Sequence, residues 1–175
     1  MQDLTAYSEE FTSGMRVLQL IDRRTKEKNR VRAVAITHNT KKWTETMNLW
    51  SKICDEMPGI RIYSSVDERC PDKCKVELQI KLITSDKKID EFLVASACMQ
   101  METRKTNRLH FDMDEGEDYN GQNELNEILE KFYANANIIG LQKSPKGYHL
   151  VTERFDWRET GLQPKKNSFS YIYGQ

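Results

Sequence analysis

The chain has no long apolar run. Nothing in its 175 residues approaches the ~20 consecutive apolar side chains that a membrane helix needs. It has no excess of either charge: 27 basic residues balance 27 acidic ones. A non-specific polyanion coat is thereby excluded, while a local basic groove is not. Its eight glycines and four prolines form no linker, and no internal repeat or low-complexity segment is visible. The opening MQDLTAYSEEF lacks a basic region followed by an apolar one, so no signal peptide is expected and a cytoplasmic location follows. Four cysteines, Cys54, Cys70, Cys74 and Cys98, are too few for a disulfide framework in a chain long enough to bury a core. Cys70 and Cys74 form a lone CxxxC without the second ligand pair of a structural zinc site, and reduced thiols are the simpler reading. GxSxG, GxxxxGK[ST], HExxH and GxGxxG are all missing.

What is present is an ordinary globular balance, 38% apolar and 31% charged, which predicts one domain over 1–175. Residues 1–14 read as an N-terminal arm or short helix. Strands are expected at 30–37, 60–66 and 108–114, from alternation and β-branched content. Helices are expected at 41–57, with Trp43, Met47, Trp50 and Ile53 near helical spacing, and at 123–136 with Leu125, Ile128, Leu129 and Phe132 on one side. Residues 74–84 fit a helix, with a strand as the alternative, and 86–101 fit a further helix. A hairpin is expected for 137–144 and 147–155 around Ser144-Pro145-Lys146-Gly147, with a last strand at 168–174. This order predicts an α+β domain, with a mixed or antiparallel sheet covered by helices.

RLHFDMD, residues 108–114, carries the chemistry. Leu109, Phe111 and Met113 point one way; His110, Asp112 and Asp114 point the other. Carboxylates at alternate positions of a strand sit about 6–7 Å apart at their Cα atoms, within reach of one or two divalent cations. An amphipathic strand with a polar face running into the acidic turn Glu115, Glu117, Asp118 has the same pattern. If 108–114 and 147–155 are neighbours, His149 joins the pair, and Asp156 lies at the end of that strand.

Phe111-Asp112-Met113-Asp114, then Gly147-Tyr148-His149, then Phe155-Asp156 resemble, in order, the three motifs of the archaeo-eukaryotic primase superfamily. These are hydrophobic-Asp-hydrophobic-Asp, small-x-His and hydrophobic-Asp. With RIYSSVDER and VASACMQM upstream, the chain is similar to the small phage-encoded proteins of that type, over residues 30–173. The resemblance implies an RRM-like catalytic core and nucleotidyl transfer in DNA replication. Asp112, Asp114 and Asp156 would hold Mg²⁺ or Mn²⁺, and His149 would contact a nucleoside triphosphate. Lys143 and Lys146 flank the same turn and are candidates for further phosphate contacts. Arg61 and Arg69 are candidates for the backbone of DNA or RNA, and Tyr148 or Tyr63 for base stacking. Each has a plainer reading: solvated lysines and arginines, tyrosines filling the sheet, a turn-capping aspartate. His110 reads as a surface residue, with a supporting place beside Asp112 as the alternative.

The chain departs from the pattern at the third motif. Asp156 follows His149 by seven residues, which on a regular strand puts the two on opposite faces. Two rival functions follow. One is a non-catalytic protein on the same fold, either a nucleic-acid binder or a phage protein that binds and inhibits a host or replication factor. The other is a metal-dependent nuclease.

Overall fold

The apolar positions that alternate or recur at helical spacing become seven strands and four helices in the computed structural model, which describes residues 14–25, 30–84, 88–165 and 167–174. In chain order these are β1 (Arg16–Asp22), β2 (Val31–Thr37), α1 (Thr40–Glu56), β3 (Ile60–Ser65), α2 (Pro71–Thr84), α3 (Glu91–Cys98), β4 (Leu109–Asp114), α4 (Gly121–Asn135), β5 (Ile138–Lys143), β6 (Gly147–Thr152) and β7 (Phe169–Gly174). Among the described residues no helix is long and apolar enough to cross a membrane.

The α+β class is as expected, but the strands form two sheets where the sequence predicts one. The first has the order β2-β1-β3-β7 and the second β4-β6-β5. Every pairing is antiparallel. The reason lies in pairing, which alternation does not encode. The last strand leaves its sequence neighbours and closes on β3, with Ser64 opposite Ser170.

α1 covers one side of the first sheet and α4 the second sheet, while α2 and α3 pack on the first sheet around Val17, Cys74, Ala95 and Cys98. Asn39 caps α1, its side chain accepting from Lys42 N–H at 2.8 Å. Trp43, Met47, Trp50 and Cys54 form the buried stripe of α1 and pack on Leu18, Leu20, Ile60, Ile62 and Ile172. Cys54 takes the fourth place that the spacing assigns to Ile53, which is only partly buried. On the second sheet, Leu125, Ile128 and Phe132 of α4 cover Leu109, Phe111 and Met113. Phe111, Phe132 and Phe155 form an aromatic cluster there, with ring centroids 4.7–6.1 Å apart. The ambiguous 74–84 segment is helix, since Pro71 supplies a preset first turn.

β6 is buried on both faces. Leu150 joins the core under α4, and Val151 joins the core under α1. The polar face of the second sheet is therefore pressed toward the first. A second crossing strengthens this joint. Lys165 N–H donates to His110 C=O at 2.7 Å, and Ser168 C=O accepts from Val66 N–H at 3.0 Å, just before β7.

Gly147 sits opposite Asp114 in the β4–β6 register. A Cβ at this position would run into the backbone carbonyl of Met113. The glycine of the GYH stretch is thus required by the close approach of the two strands that carry the site. Gly147→Ala is expected to cost about 1–3 kcal/mol through forced separation of β4 from β6. Urea denaturation measures it; a midpoint unchanged from wild type would show that the strands yield freely.

Candidate functional site

Strand register brings the acid and the histidine together. Asp112 is the direct cross-strand partner of His149, and Asp114 lies on the same face one step further along. His149 Nε2 stands 3.2 Å from Asp112 Oδ1. The other carboxylate oxygen of Asp112 accepts from the Lys165 ammonium.

The hydrogens of this network follow from one backbone group. Tyr171 N–H, on β7, points at His149 Nδ1 at 3.1 Å. A backbone N–H can only donate, so Nδ1 carries no proton and the His149 proton sits on Nε2, facing Asp112. His110 Nε2 is 2.9 Å from the same Nδ1, so it also donates and carries its own proton. His110 Nδ1 is then an acceptor, and the Ser168 hydroxyl fills it at 2.9 Å. The chain of donors runs Ser168, His110, His149, Asp112, and closes on Lys165 from the other side. His110 is only 1% exposed, so the surface role read from the sequence is corrected. It lies behind His149, where β7 covers it.

Burial pushes the His110 imidazole down to about 3, with repulsion from His149 adding to the shift. Burial also lowers His149, and Lys165 reinforces this against the opposing pull of Asp112 and Asp114. Burial would raise the Asp112 carboxyl, but the Lys165 bond and the nearby histidines outweigh it and hold the carboxyl below its ordinary value.

Around these groups lies a cleft of about 180 Å³. Arg23, Arg61, Lys146 and Lys165 line it against the acids Asp112 and Asp114. Tyr63 and Tyr171, in an edge-on pair 6.0 Å apart, form its wall on the first sheet. Arg23 reaches it from the end of β1, where its N–H donates to Gly59 C=O at 2.8 Å. Its neighbour Arg24 is folded back onto Asp22 at 2.8 Å.

Several candidates lie elsewhere. Tyr148 is adjacent to His149 on β6 and so faces α4, where it packs on the second core. Lys143 pairs with Tyr148 and shares that face. Both line a different cleft near Tyr119 and Pro145, which Lys146 also borders. Asp156 is exposed and bidentate to Arg158, at 2.8 Å for each bond. It lines a separate cavity of about 780 Å³ with Arg104, Arg154 and Trp157, so the structure does not bring it to the pair. Arg69 is 0% exposed. Its backbone bonds to Met15 on both sides, at 2.7 and 2.9 Å, and its side chain donates to Gln100 C=O. A nucleic-acid backbone has no surface of Arg69 to touch, and that expectation is corrected. Sequence reasoning missed Lys165, Ser168, Tyr171 and Arg23. The only local signal was the basic run Lys165-Lys166 before the last strand.

Among the described residues, no three His, Cys, Asp or Glu side chains converge as a metal-holding group. Two carboxylates on one strand face do match what Mg²⁺ or Mn²⁺ takes when it arrives with phosphate oxygens, since such ions use one or two carboxylates and complete their shell from substrate and water. The pair therefore offers part of a divalent-cation shell and not a complete cage. Comparison with family models, curated proteins and solved structures found no match.

The histidine pair makes stability pH-dependent. Burial lowers both imidazoles from 6.5 in the folded state. Below about 6.5 the unfolded chain binds more protons than the folded one. Stability is thus full above that pH. It falls as pH drops, by up to about 1.4 kcal/mol per pH unit for each histidine, until the folded-state values are reached. The loss due to Asp112 lies lower, below 3.8. Urea midpoints from pH 8 to pH 4.5 should decline below 6.5, and His110→Gln should decline less steeply. Equal slopes for the two proteins would remove His110 as the source.

Proposed function

We propose that the chain is a primase–polymerase-type protein that binds a nucleoside triphosphate with a divalent cation at Asp112, Asp114 and His149. On this reading it handles nucleic acid by nucleotidyl transfer. The observation that carries the reading is the convergence on one cleft of paired carboxylates, a histidine with a fixed Nε2–H donor, and the cations Arg23, Arg61, Lys146 and Lys165. Carboxylates bind the metal of a metal–triphosphate, and cations beside them bind its phosphates.

Each side chain then has a defined task. Asp112 and Asp114 would hold the cation, which when bound would supply charge neutralisation for the triphosphate. Lys146, on the turn before β6, and Arg61, on β3, stand on two sides of the cleft and suit phosphate oxygens. His149 donates through Nε2–H to Asp112 Oδ1 and so positions that carboxylate. Its Nδ1 is saturated, so it serves as a hydrogen-bond donor and is a poor base. Tyr63 offers aromatic surface on the far wall, backed edge-on by the buried Tyr171.

One observation favours a second reading. Asp112 is already satisfied by Lys165 and His149, and Asp156 lies away from it. A polar network complete in itself suits a non-catalytic protein that binds nucleic acid or a partner protein on this fold.

Calorimetric titration of a nucleoside triphosphate with Mn²⁺ separates the two. Wild type is expected to bind, and the Asp112→Asn, Asp114→Asn double variant to bind at least about tenfold more weakly, with its fold checked by circular dichroism. Equal binding by both proteins would rule out the carboxylate site. No nucleotide binding by wild type, together with salt-dependent and metal-independent binding of nucleic acid, would establish the second reading.

A further inference from the structure

We propose that Lys165 is a built-in cation of this site: its ammonium occupies the Asp112 oxygen that a divalent ion needs, and it vacates that oxygen when the ion arrives with phosphate. Asp112 has two oxygens. Oδ1 is held by His149 Nε2–H, and Oδ2 is held by Lys165. Oδ1 is fixed by the imidazole chain, which Tyr171 N–H locks from behind. Oδ2 is held only through the exposed, flexible Lys165 stem, so it is the oxygen whose partner can exchange. The carboxyl is 22% exposed and the lysine side chain 57%, so the ammonium sits between the carboxylate and solvent. Asp114, on the same face, has no ion pair among the described residues. A cation spanning the two carboxylates must take Oδ2, and like charges prevent it from sharing that oxygen with the ammonium.

The exchange is cheap on the lysine side. The backbone of Lys165 is anchored through its N–H to His110 C=O at 2.7 Å, so only the four-carbon stem has to turn. A bare divalent ion gives the displaced ammonium no new partner. A metal–triphosphate gives it phosphate oxygens in the same cleft. The site is thereby tuned against metal alone and toward metal with a polyphosphate. Cation and nucleotide must then raise each other's affinity by the same factor. The phosphate half of this argument rests on the nucleotide reading; the exchange at Asp112 stands on the Lys165 contact alone.

The test is Mn²⁺ affinity without nucleotide, from the free-ion signal in electron paramagnetic resonance. Lys165→Met is expected to bind Mn²⁺ about fivefold more tightly than wild type, the scale of one partly exposed ion pair. Lys165→Arg, which keeps the cation, is expected to match wild type. A lysine that merely supports the fold would give no gain on removal. Equal or weaker Mn²⁺ binding by Lys165→Met, or no binding by either protein, overturns the proposal. The same samples are then titrated with a nucleoside triphosphate. A Mn²⁺ gain in Lys165→Met without nucleotide binding by any form keeps the exchange and removes the nucleotide reading. Metal-dependent nucleotide binding without that gain does the reverse.

Discussion

The hydrogen bond from Tyr171 N–H to His149 Nδ1 is the constraint from which the rest of the site follows. It joins the two sheets, because β7 belongs to the first and β6 to the second. It also fixes a proton. Once Nδ1 is an acceptor, Nε2 must donate, and the carboxylate of Asp112 lies in front of it. A protonated His149 would place an N–H against two other N–H groups, from Tyr171 and His110. The resulting repulsion acts together with burial to keep the ring neutral. One backbone amide, set by how β7 closes on β3, thereby decides which nitrogen of the central imidazole carries its proton, while burial favours the neutral ring.

Where alternation sufficed, the sequence was legible. The faces of β4 were readable from residues 108–114 because period two leaves no choice of side. The same rule separated His149 from Asp156 seven residues on. It was not applied to Tyr148, which was kept as a candidate although it is the next residue along, and the structure places both away from the cleft. Strand partners were not legible. His149 faces Asp112 because Gly147 lets β6 lie against β4 in that register. Lys165 reaches Asp112 from a segment more than fifty residues away, whose only sequence mark is charge. No local pattern could assign an exposed-looking lysine to a half-buried aspartate.

Arg69 shows the same limit from the other side. In sequence it ends a strand-and-turn stretch of acids and reads as a surface cation. In the fold its backbone is sandwiched between Met15 and Arg104, and burial lowers its affinity for a proton despite Asp67 nearby. Arg16 and Glu68 are buried beside the same seam. Burying a guanidinium is costly unless charge and carbonyl oxygens surround it, and here they are supplied by Asp67, Glu68 and the carbonyls of Ser65 and Gln100. Charge balance in composition therefore says little about where the charge lies. Part of the basic total is spent inside the molecule, on the seam that orders the chain leading into β4.

The position of Lys165 narrows the chemistry open to the cleft. A third carboxylate beside Asp112 would make a more complete cage for a metal ion. An ammonium in that place offsets the carboxylate charge instead, and on the proposed exchange it would turn to phosphate when a ligand arrives. The histidine behind Asp112 cannot take up the slack as a base, because its free nitrogen is spent on the sheet joint. What remains is an arrangement that positions charge rather than moving protons through its imidazoles. The in-line transfer between phosphate oxygens proposed above would demand just that of a protein, since the bond making and breaking would occur within the substrate.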